Sequence, residues 1–298
     1  MKTYIIYNRL AGHGNCEESA KALAPKYEGE VICKSITEIA DYAAFVGGLT
    51  EEDTLILCGG DGTLNRFANA IYGQKIRCEL LYYAVGTGND FWKDIGRNPG
   101  DDPVSIKQYL ENLPLVEVNG EKHRFLNGIG FGIDGYCCEM GDKKKATSTK
   151  PVNYTAIAIK GMLFGYKPRR AVVVVDGKEY HYKKVWLVSA MKGRYYGGGM
   201  LNAPAQDRLA EDGDLDVVLF RGKGRIKTLI AFPSIFKGEH INKPKAVATH
   251  RGKDIYVRYE FPAPLQIDGE CIPNVLEYHV VSTPKVKEAE SASAEATC

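Results

Sequence analysis

Residues 55–71, LILCGGDGTLNRFANAI, join an apolar strand to a helix through a glycine-rich corner. The run at 55–57 is typical of a buried strand, and apolar residues recur at helical spacing from Leu64 to Ile71. Glycine at 59, 60 and 62 lets another group approach the main chain closely. The first N–H groups of a helix lack internal partners and carry positive partial charge. The corner therefore favours an anion, phosphate above all.

Asp61 is unusual at such a corner, because its carboxylate would repel a bare phosphate unless a cation lies between them. A second stretch, YAVGTGNDF at 83–91, has the same design, with Asn89 and Asp90 at a predicted helix start. Adjacent parallel strands would bring both corners together, so Asp61 and Asp90 are expected beside one cleft. Each aspartate alone is also typical of a helix cap, and that alternative stays open.

The length and charge of the chain limit its class. With 298 residues, two domains are favoured. A net charge of +2 argues against a general nucleic-acid-binding protein. Residues 1–120 hold 11 basic and 17 acidic side chains, whereas residues 121–298 hold 28 and 20. The basic second part indicates an anionic partner or surface, with a solvated basic face as the alternative.

The eight cysteines form no CxxC pair and no His-Cys cluster at metal spacing, so zinc is not expected. The apolar stretch at the N-terminus is shorter than a signal peptide, and no run approaches the ~20 apolar residues of a membrane span. The sequence predicts a cytoplasmic protein with reduced cysteines that associates with membranes only peripherally.

Strand-like and helical patterns alternate at the start of the chain. Strands are predicted at 3–7, 31–36, 54–58 and 79–85, with helices near 16–25, 38–46, 64–72 and 103–112. This alternation predicts an α/β domain at 1–120, with a parallel sheet and helices on both faces.

Strand patterns dominate the rest of the chain, including a hairpin at Asp176-Gly177, with helical stretches near 151–164 and 224–236. These patterns predict a mainly antiparallel β domain at 121–283. The tail at 284–298 is low in bulky apolar residues and is predicted to be disordered.

The Gly130-x-Gly132-x-x-Gly135 pattern is not expected to open a helix at its last glycine, which argues against a dinucleotide site. The P-loop motif GxxxxGK[ST] does not occur, so a Walker P-loop NTPase is not expected.

Four motifs follow one another along the chain: CGGDGTLN, VGTGNDF, GGGMLNAPAQDRLAEDGDLDVV and LQIDGE. This ordered set resembles the soluble diacylglycerol kinase family of bacterial lipid kinases, related to sphingosine and ceramide kinases. GGDGT alone is shared with NAD kinases and, in variant form, phosphofructokinases. The resemblance runs from Tyr4 to about Val281 and implies an ATP-binding α/β domain, a β-sandwich second domain and an active site between them.

The resemblance also implies roles for single residues. Arg9 stands where the family has proline, and Arg66 stands where glutamate is usual, which leaves the local nucleotide or metal contacts open. The implied nucleotide-contacting residues are Asn8, Gly12, Thr37, Gly60, Asp61, Gly62, Thr63, Leu64, Asn65, Arg66 and Thr87.

Two acidic turns complete the implied site. Asp212 matches a structural magnesium ligand, with the main-chain carbonyls of Leu209 and Asp214; an oxygen-rich loop suits a hard cation, and a plain acidic turn is the alternative. Glu270 matches the general base. Asp268 is the competing carboxylate, and a simple hairpin turn at this position also stays open.

Phosphoryl transfer to a lipid hydroxyl needs an anion cradle, a divalent cation and a carboxylate that takes up the proton. The main chain at 60–63 can form the cradle, Asp61 and Asp90 can hold Mg²⁺ directly or through water, and Glu270 or Asp268 can accept the proton. The sequence predicts an ATP- and Mg²⁺-dependent lipid kinase for diacylglycerol or a related lipid alcohol. A soluble-metabolite kinase of the NAD-kinase type and a non-catalytic nucleotide-binding protein remain alternatives.

Basic residues flank the apolar stretch TAIAIKGMLFGY at 155–166, a composition suited to an anionic membrane surface. A core helix with solvated flanks is the alternative. The expected partners are a lipid alcohol and, transiently, an anionic membrane, without nucleic acid; a homodimer stays open. The flanking residues are Lys143, Lys144, Lys145, Lys150, Lys167, Arg169 and Arg170.

Overall fold

The structure, a computed structural model, describes residues 1–86, 88–147, 152–222 and 224–282. Thr87, Lys150 and the tail predicted from residue 284 lie outside the described residues. Within the described ranges, no helix has the length and apolar character needed to cross a membrane.

The first sheet has the order β2-β1-β3-β4-β5. Its first four strands are parallel and confirm the four strands predicted from the sequence, while the short β5 is antiparallel at the edge. The carboxyl ends of β1 to β4 therefore lie along one edge of the sheet. The strands are β1 (Lys2–Tyr7), β2 (Glu30–Ser35), β3 (Thr54–Gly59), β4 (Glu79–Ala84) and β5 (Val104–Ser105).

Helices cover both faces of this sheet, as predicted. Side chains alternate along the central strand β3: Ile56 packs with α1 on one face, and Leu55 and Leu57 pack with α2 and α3 on the other. The helices are α1 (Cys16–Leu23), α2 (Tyr42–Gly47), α3 (Asp61–Ile71), α4 (Asp90–Asp94) and α5 (Lys107–Leu110).

The second sheet is antiparallel and contains nine strands among the described residues. The long strands β10 and β15 pair with β9 along their first halves and with β8 along their second halves. Register shifts mark the change in both strands, and such irregularities bend a strand. The sheet thereby gains the sandwich-like form that was predicted. Its strands are β6 (Leu115–Val118), β7 (Glu121–Arg124), β8 (Gly128–Gly132), β9 (Arg169–Val175), β10 (Lys178–Met191), β13 (Leu215–Arg221), β14 (Val247–Gly252), β15 (Asp254–Ile267) and β16 (Glu270–Val281).

Two short strands complete the β domain and form a ribbon: β11 (Tyr195–Tyr196) and β12 (Met200–Leu201).

The passage from the first sheet to the second occurs before residue 120, because β6 already pairs with β16. Asn119 and Gly120 form the turn between β6 and β7, with φ of 51° and 82°. The boundary predicted after residue 120 falls in this turn.

A long helix, α6 (Ile133–Thr147), follows β8 directly. The expectation that no helix opens at Gly135 was wrong. Gly135 is required by packing, since a Cβ there would collide with the carbonyl of Pro264. A Cβ at Gly141 would lie 2.6 Å from the ring of Tyr154, which would have to shift. Because β8 pairs only antiparallel, this junction is still not a dinucleotide-binding unit.

The helical stretches predicted near 151–164 and 224–236 are present in shorter form. They are α7 (Tyr154–Lys160) with the π-helical turn Gly161–Gly165, and α8 (Arg225–Ala231) with the 3-10 turn Phe232–Lys237.

Asp134 is a buried carboxylate in the first turn of α6. Its Oδ2 accepts a hydrogen bond from the Tyr196 hydroxyl at 3.2 Å, while its Oδ1 has no partner among the described residues. Burial raises the pKa of Asp134 to about 6. The charged form is therefore less favourable in the folded chain than in the unfolded chain.

We expect Asp134→Asn to raise the melting temperature at pH 8. The raised pKa means that stability falls as pH rises from about 4, the ordinary aspartate value, to about 6, and stays lower above that. The gain from the substitution should shrink as the pH approaches 4. Calorimetry at several pH values measures this. Asp176→Asn is the matched control, because the main-chain N–H groups of Asp254 and Lys253 lower the pKa of Asp176; an equal gain there would contradict the explanation.

Candidate active site

The first glycine corner lies at the carboxyl end of β3, where α3 begins at Asp61. Leu64 N–H is the first to donate within the helix, to Gly60, so the N–H groups of residues 61–63 have no partner in it. The hydroxyl of Thr63 accepts a bond from Asn8 Nδ2 at 2.8 Å. This bond joins the corner to the end of β1 and places Asn8 beside free helix N–H groups.

Asp61 links the two glycine corners. Its Oδ2 accepts the N–H of Asp90 at 2.7 Å and its Oδ1 accepts the N–H of Phe91 at 3.0 Å, so it caps the start of α4. A Cβ at Gly88 would lie 3.7 Å from the same carboxylate. Burial raises the pKa of Asp61, while the two N–H groups act in the opposite direction.

Asp90 extends this connection into the β domain. Its carboxylate accepts the N–H groups of Gly198 at 2.8 Å and Gly199 at 2.6 Å. Burial and the neighbouring charge of Asp61 raise the pKa of Asp90 to about 7. The structure therefore brings Asp61 and Asp90 to one cleft, as predicted. Asp61 caps a helix start, whereas Asp90 holds the turn between β11 and β12.

Asp268 is buried between the two domains. Its carboxylate accepts hydrogen bonds from Asn65 Nδ2 at 2.7 Å and from three main-chain N–H groups at 2.6–2.9 Å. Burial raises its pKa to about 6, against the effect of those three N–H groups. The donors of the main chain are Leu126, Asn127 and Gly128.

Glu270 lies on the open side of the cleft. Its Oε1 accepts a bond from Arg66 Nε at 2.6 Å, and both side chains are substantially exposed, Arg66 at 69% and Glu270 at 45%. A Cβ at Gly62 would lie 4.0 Å from the same Oε1. Glu270 therefore stands over the first turn of α3, although it is distant in sequence.

Two further predicted nucleotide contacts, Gly12 and Thr37, follow β1 and β2 at the same edge. Gly12 has a φ of 59°, and a Cβ there would lie 2.7 Å from Val85 Cγ1. Thr37 follows β2 and its hydroxyl lies 2.9 Å from that of Ser35. The Leu64 side chain is fully buried in the core of the α/β domain, which leaves it no surface for a ligand.

The predicted metal loop lies at the start of β13. Asp212 Oδ1 accepts the N–H of Asp214 at 3.0 Å, and its Oδ2 is 3.7 Å from Arg251. The carbonyl of Asp214 accepts one bond, from Gln206 Nε2 at 2.9 Å. Among the residues that the structure describes, no three His, Cys, Asp or Glu side chains gather as a metal-binding group. The Asp212 carboxylate is thus half-exposed, with one main-chain donor and one guanidinium nearby.

A buried ion pair beside the cleft was missed by the sequence reasoning. Arg208 contacts Asp94 through Nε at 2.5 Å and Asn127 Oδ1 through Nη2 at 3.0 Å. Arg194 Nε reaches the other oxygen of Asp94 at 2.7 Å. The available signal was the position of Arg208 within the third motif, directly before Leu209, which had been assigned a role.

The α/β domain with its glycine corner and the β domain that follows it match the two domain models of a lipid kinase family. The chain belongs to the diacylglycerol kinase family of lipid kinases. The model of the diacylglycerol kinase catalytic domain matches residues 2–116, and that of the YegS C-terminal NAD kinase beta sandwich-like domain matches residues 127–286. Membership supports phosphoryl transfer with a nucleotide as the donor.

Known relatives agree with this assignment. A diacylglycerol kinase of Mycobacterium tuberculosis is 25% identical, with 93% of this chain and 94% of the relative covered. One of Bacillus subtilis is 26% identical, with 89% and 88% covered. A solved structure of a diacylglycerol kinase from Bacillus anthracis has the same fold, with a TM-score of 0.57 at 19% identity and coverage of 95% and 94%.

Proposed function

We propose that the chain transfers the γ-phosphoryl group of ATP to the hydroxyl of diacylglycerol or a related lipid alcohol, with Mg²⁺. The observation that carries the proposal is the meeting of Glu270 with the first turn of α3, because it joins a proton acceptor to an anion cradle. The cradle is formed by the N–H groups of residues 61–63, and Asn8, Gly12 and Thr37 line the edge beside it.

Glu270 is the general base in this proposal. It is exposed and has one partner, so its second oxygen can approach a hydroxyl. Asp268 has four donors on its carboxylate and is buried, which suits a structural anchor. In the transfer, the acceptor oxygen bonds to the γ-phosphorus and its proton goes to Glu270. The bond between the γ-phosphorus and the bridging oxygen breaks, and its electron pair stays on that oxygen of ADP.

The proposed Mg²⁺ would neutralise charge on the transferring phosphoryl group. Asp61 and Asp90 would hold it through water, since both carboxylates already accept main-chain N–H groups. A second, structural ion fits the loop of Asp212, where a half-exposed carboxylate and main-chain carbonyls supply the oxygen atoms that a hard cation prefers.

Lipid access is proposed through the surface formed by α7, the π-helical turn and α8. Ile157 and Met162 are buried, whereas Phe164, Ile226 and Ile230 are 78%, 69% and 75% exposed. Arg225 Nη1 donates to the carbonyl of Met162 at 2.7 Å, which joins the segments. Neither 152–170 nor 221–237 contains an acidic residue, so the surface suits an anionic bilayer.

Helix α6 joins this surface to the turn that precedes Glu270. That helix packs on α7 and on the π-helical turn, and its Cys138 Sγ donates to the carbonyl of Gly269 at 2.9 Å. We propose that a lipid held at the membrane surface reaches Glu270 along α6.

An acceptor panel with labelled ATP and Mg²⁺ tests the proposal. Lipid alcohols would be presented in vesicles with and without anionic phospholipid, beside soluble acceptors that include NAD. We expect phosphorylated lipid, formed faster on anionic vesicles. Phosphorylation of NAD alone would instead establish the soluble-metabolite kinase, and ATP binding without any product would establish the non-catalytic alternative.

Asp212→Ala tests the structural ion. We expect Mg²⁺ to raise the melting temperature of the unchanged chain and to have less effect on the variant, because a bound ion stabilises only the folded state. Asp207→Ala is a control on the same loop, since Asp207 Oδ1 already accepts the N–H of Leu209. Equal Mg²⁺ dependence in all three proteins would contradict an ion at Asp212.

A further inference from the structure

Arg66 is the feature of the cleft that the proposed function leaves without a role. It stands in the second turn of α3, one turn beyond the cradle, where the family resemblance leads one to expect glutamate. Its Nε donates to Glu270 Oε1 at 2.6 Å, and this is its one hydrogen bond to the described part of the chain. Both Nη groups are therefore available to a ligand, and the exposed side chain is able to turn.

The negative charges around the cleft favour a positively charged side chain that can turn toward a bound nucleotide. Four carboxylates, those of Asp61, Asp90, Asp268 and Glu270, lie around the two glycine corners, and a triphosphate would add more negative charge. Arg208 cannot turn toward a ligand, because it is buried and held by Asp94 and Asn127. Arg66 is exposed and bonded at the open side of the same cleft.

We infer that Arg66 gives up its bond to Glu270 when ATP binds and contacts the terminal phosphate of the nucleotide instead. This inference rests on the proposed function, and it makes Arg66 a residue that selects the triphosphate and releases the base. Before the nucleotide binds, the guanidinium occupies one oxygen of Glu270. Its planar set of donors matches phosphate oxygens in pairs, so a phosphate on the first turn of α3 competes for it. The exposed ion pair is weak and is readily exchanged.

Nucleotide binding tests the inference without a lipid acceptor. Affinities for ADP and for a non-hydrolysable ATP analogue, both with Mg²⁺, would be measured by calorimetry on the unchanged chain and on Arg66→Gln. We expect the variant to lose about tenfold in affinity for the analogue, as for loss of a charge-assisted contact, and to bind ADP as before. Equal losses for both nucleotides, or no loss for either, would overturn the inference.

Two further variants separate exchange from a structural ion pair. Glu270→Gln removes the competing carboxylate and should strengthen binding of the analogue, whereas a merely structural pair predicts a loss. Arg66→Lys keeps the charge but not the paired donors and should recover only part of the affinity. The melting temperature of Arg66→Gln should match that of the unchanged chain, and a clear fall together with weaker ADP binding would overturn the inference.

The same measurements distinguish this inference from the proposed function. Discrimination between the analogue and ADP that depends on Arg66, in a chain that phosphorylates no lipid, would overturn the lipid kinase proposal and support the role of Arg66. An unchanged chain that binds neither nucleotide would overturn both.

Discussion

Glu270→Gln is expected to lower kcat by ~10²–10⁴ on the best lipid acceptor, the usual contribution of a general base. Glutamine has nearly the same size but cannot take up the proton of the hydroxyl. ATP binding should not weaken, because the cradle at residues 61–63 and the bond between Asn8 and Thr63 do not involve this side chain. Steady-state kinetics and nucleotide calorimetry on one preparation would measure both effects.

The control for this prediction is Glu277→Gln. Glu277 also lies on β16 and pairs with a nearby arginine, Arg258, at 3.6 Å, but it is away from the glycine corner. It should keep its full kcat. If Glu270→Gln also keeps most of its kcat, Glu270 is not the base.

Asp268→Ala is expected to destabilise the folded chain by ~3 kcal/mol or more, because several buried donors would lose their acceptor at ~1–3 kcal/mol each. Burial raises the pKa of Asp268 to about 6, so at pH 8 the carboxylate is ionised and accepts all four bonds. Urea unfolding at pH 8 measures the loss.

Glu270→Ala is the matched control, two residues away on an exposed site, and should change stability by no more than about 0.5 kcal/mol. Asp268→Asn supplies the opposite test. If that variant keeps its stability but loses kcat while Glu270→Gln retains it, then Asp268 is the proton acceptor and Glu270 is not.

The meeting of the two glycine corners could be predicted because strand ends of a parallel sheet share one edge. β3 and β4 are adjacent, so Asp61 and Asp90 had to lie near each other. What each carboxylate binds could not be predicted. Asp90 accepts N–H groups of Gly198 and Gly199, and such contacts between residues about a hundred positions apart leave no periodic signal.

Local sequence rules also failed at α6, for a physical reason. Gly135 and Gly141 lower helix propensity, and their justification lies in distant contacts with Pro264 and Tyr154. The Asn119-Gly120 turn, in contrast, was readable. It joins two strand-like segments through the dipeptide most typical of a tight hairpin, and recognising it would have placed β6 in the second sheet.

The carboxylate of Asp90 fastens the α/β domain to the β domain through the main-chain N–H groups of Gly198 and Gly199. Every amino acid except proline offers a main-chain N–H group, so this attachment depends on the backbone conformation of Gly198 and Gly199, with φ of 82° and 105°, and on no side chain of the β domain. Mutation can therefore alter the walls of the cleft while the domains keep their mutual orientation. The main-chain attachment that aligns the two domains is thus separate from the side chains that select the acceptor, and those side chains are free to diverge.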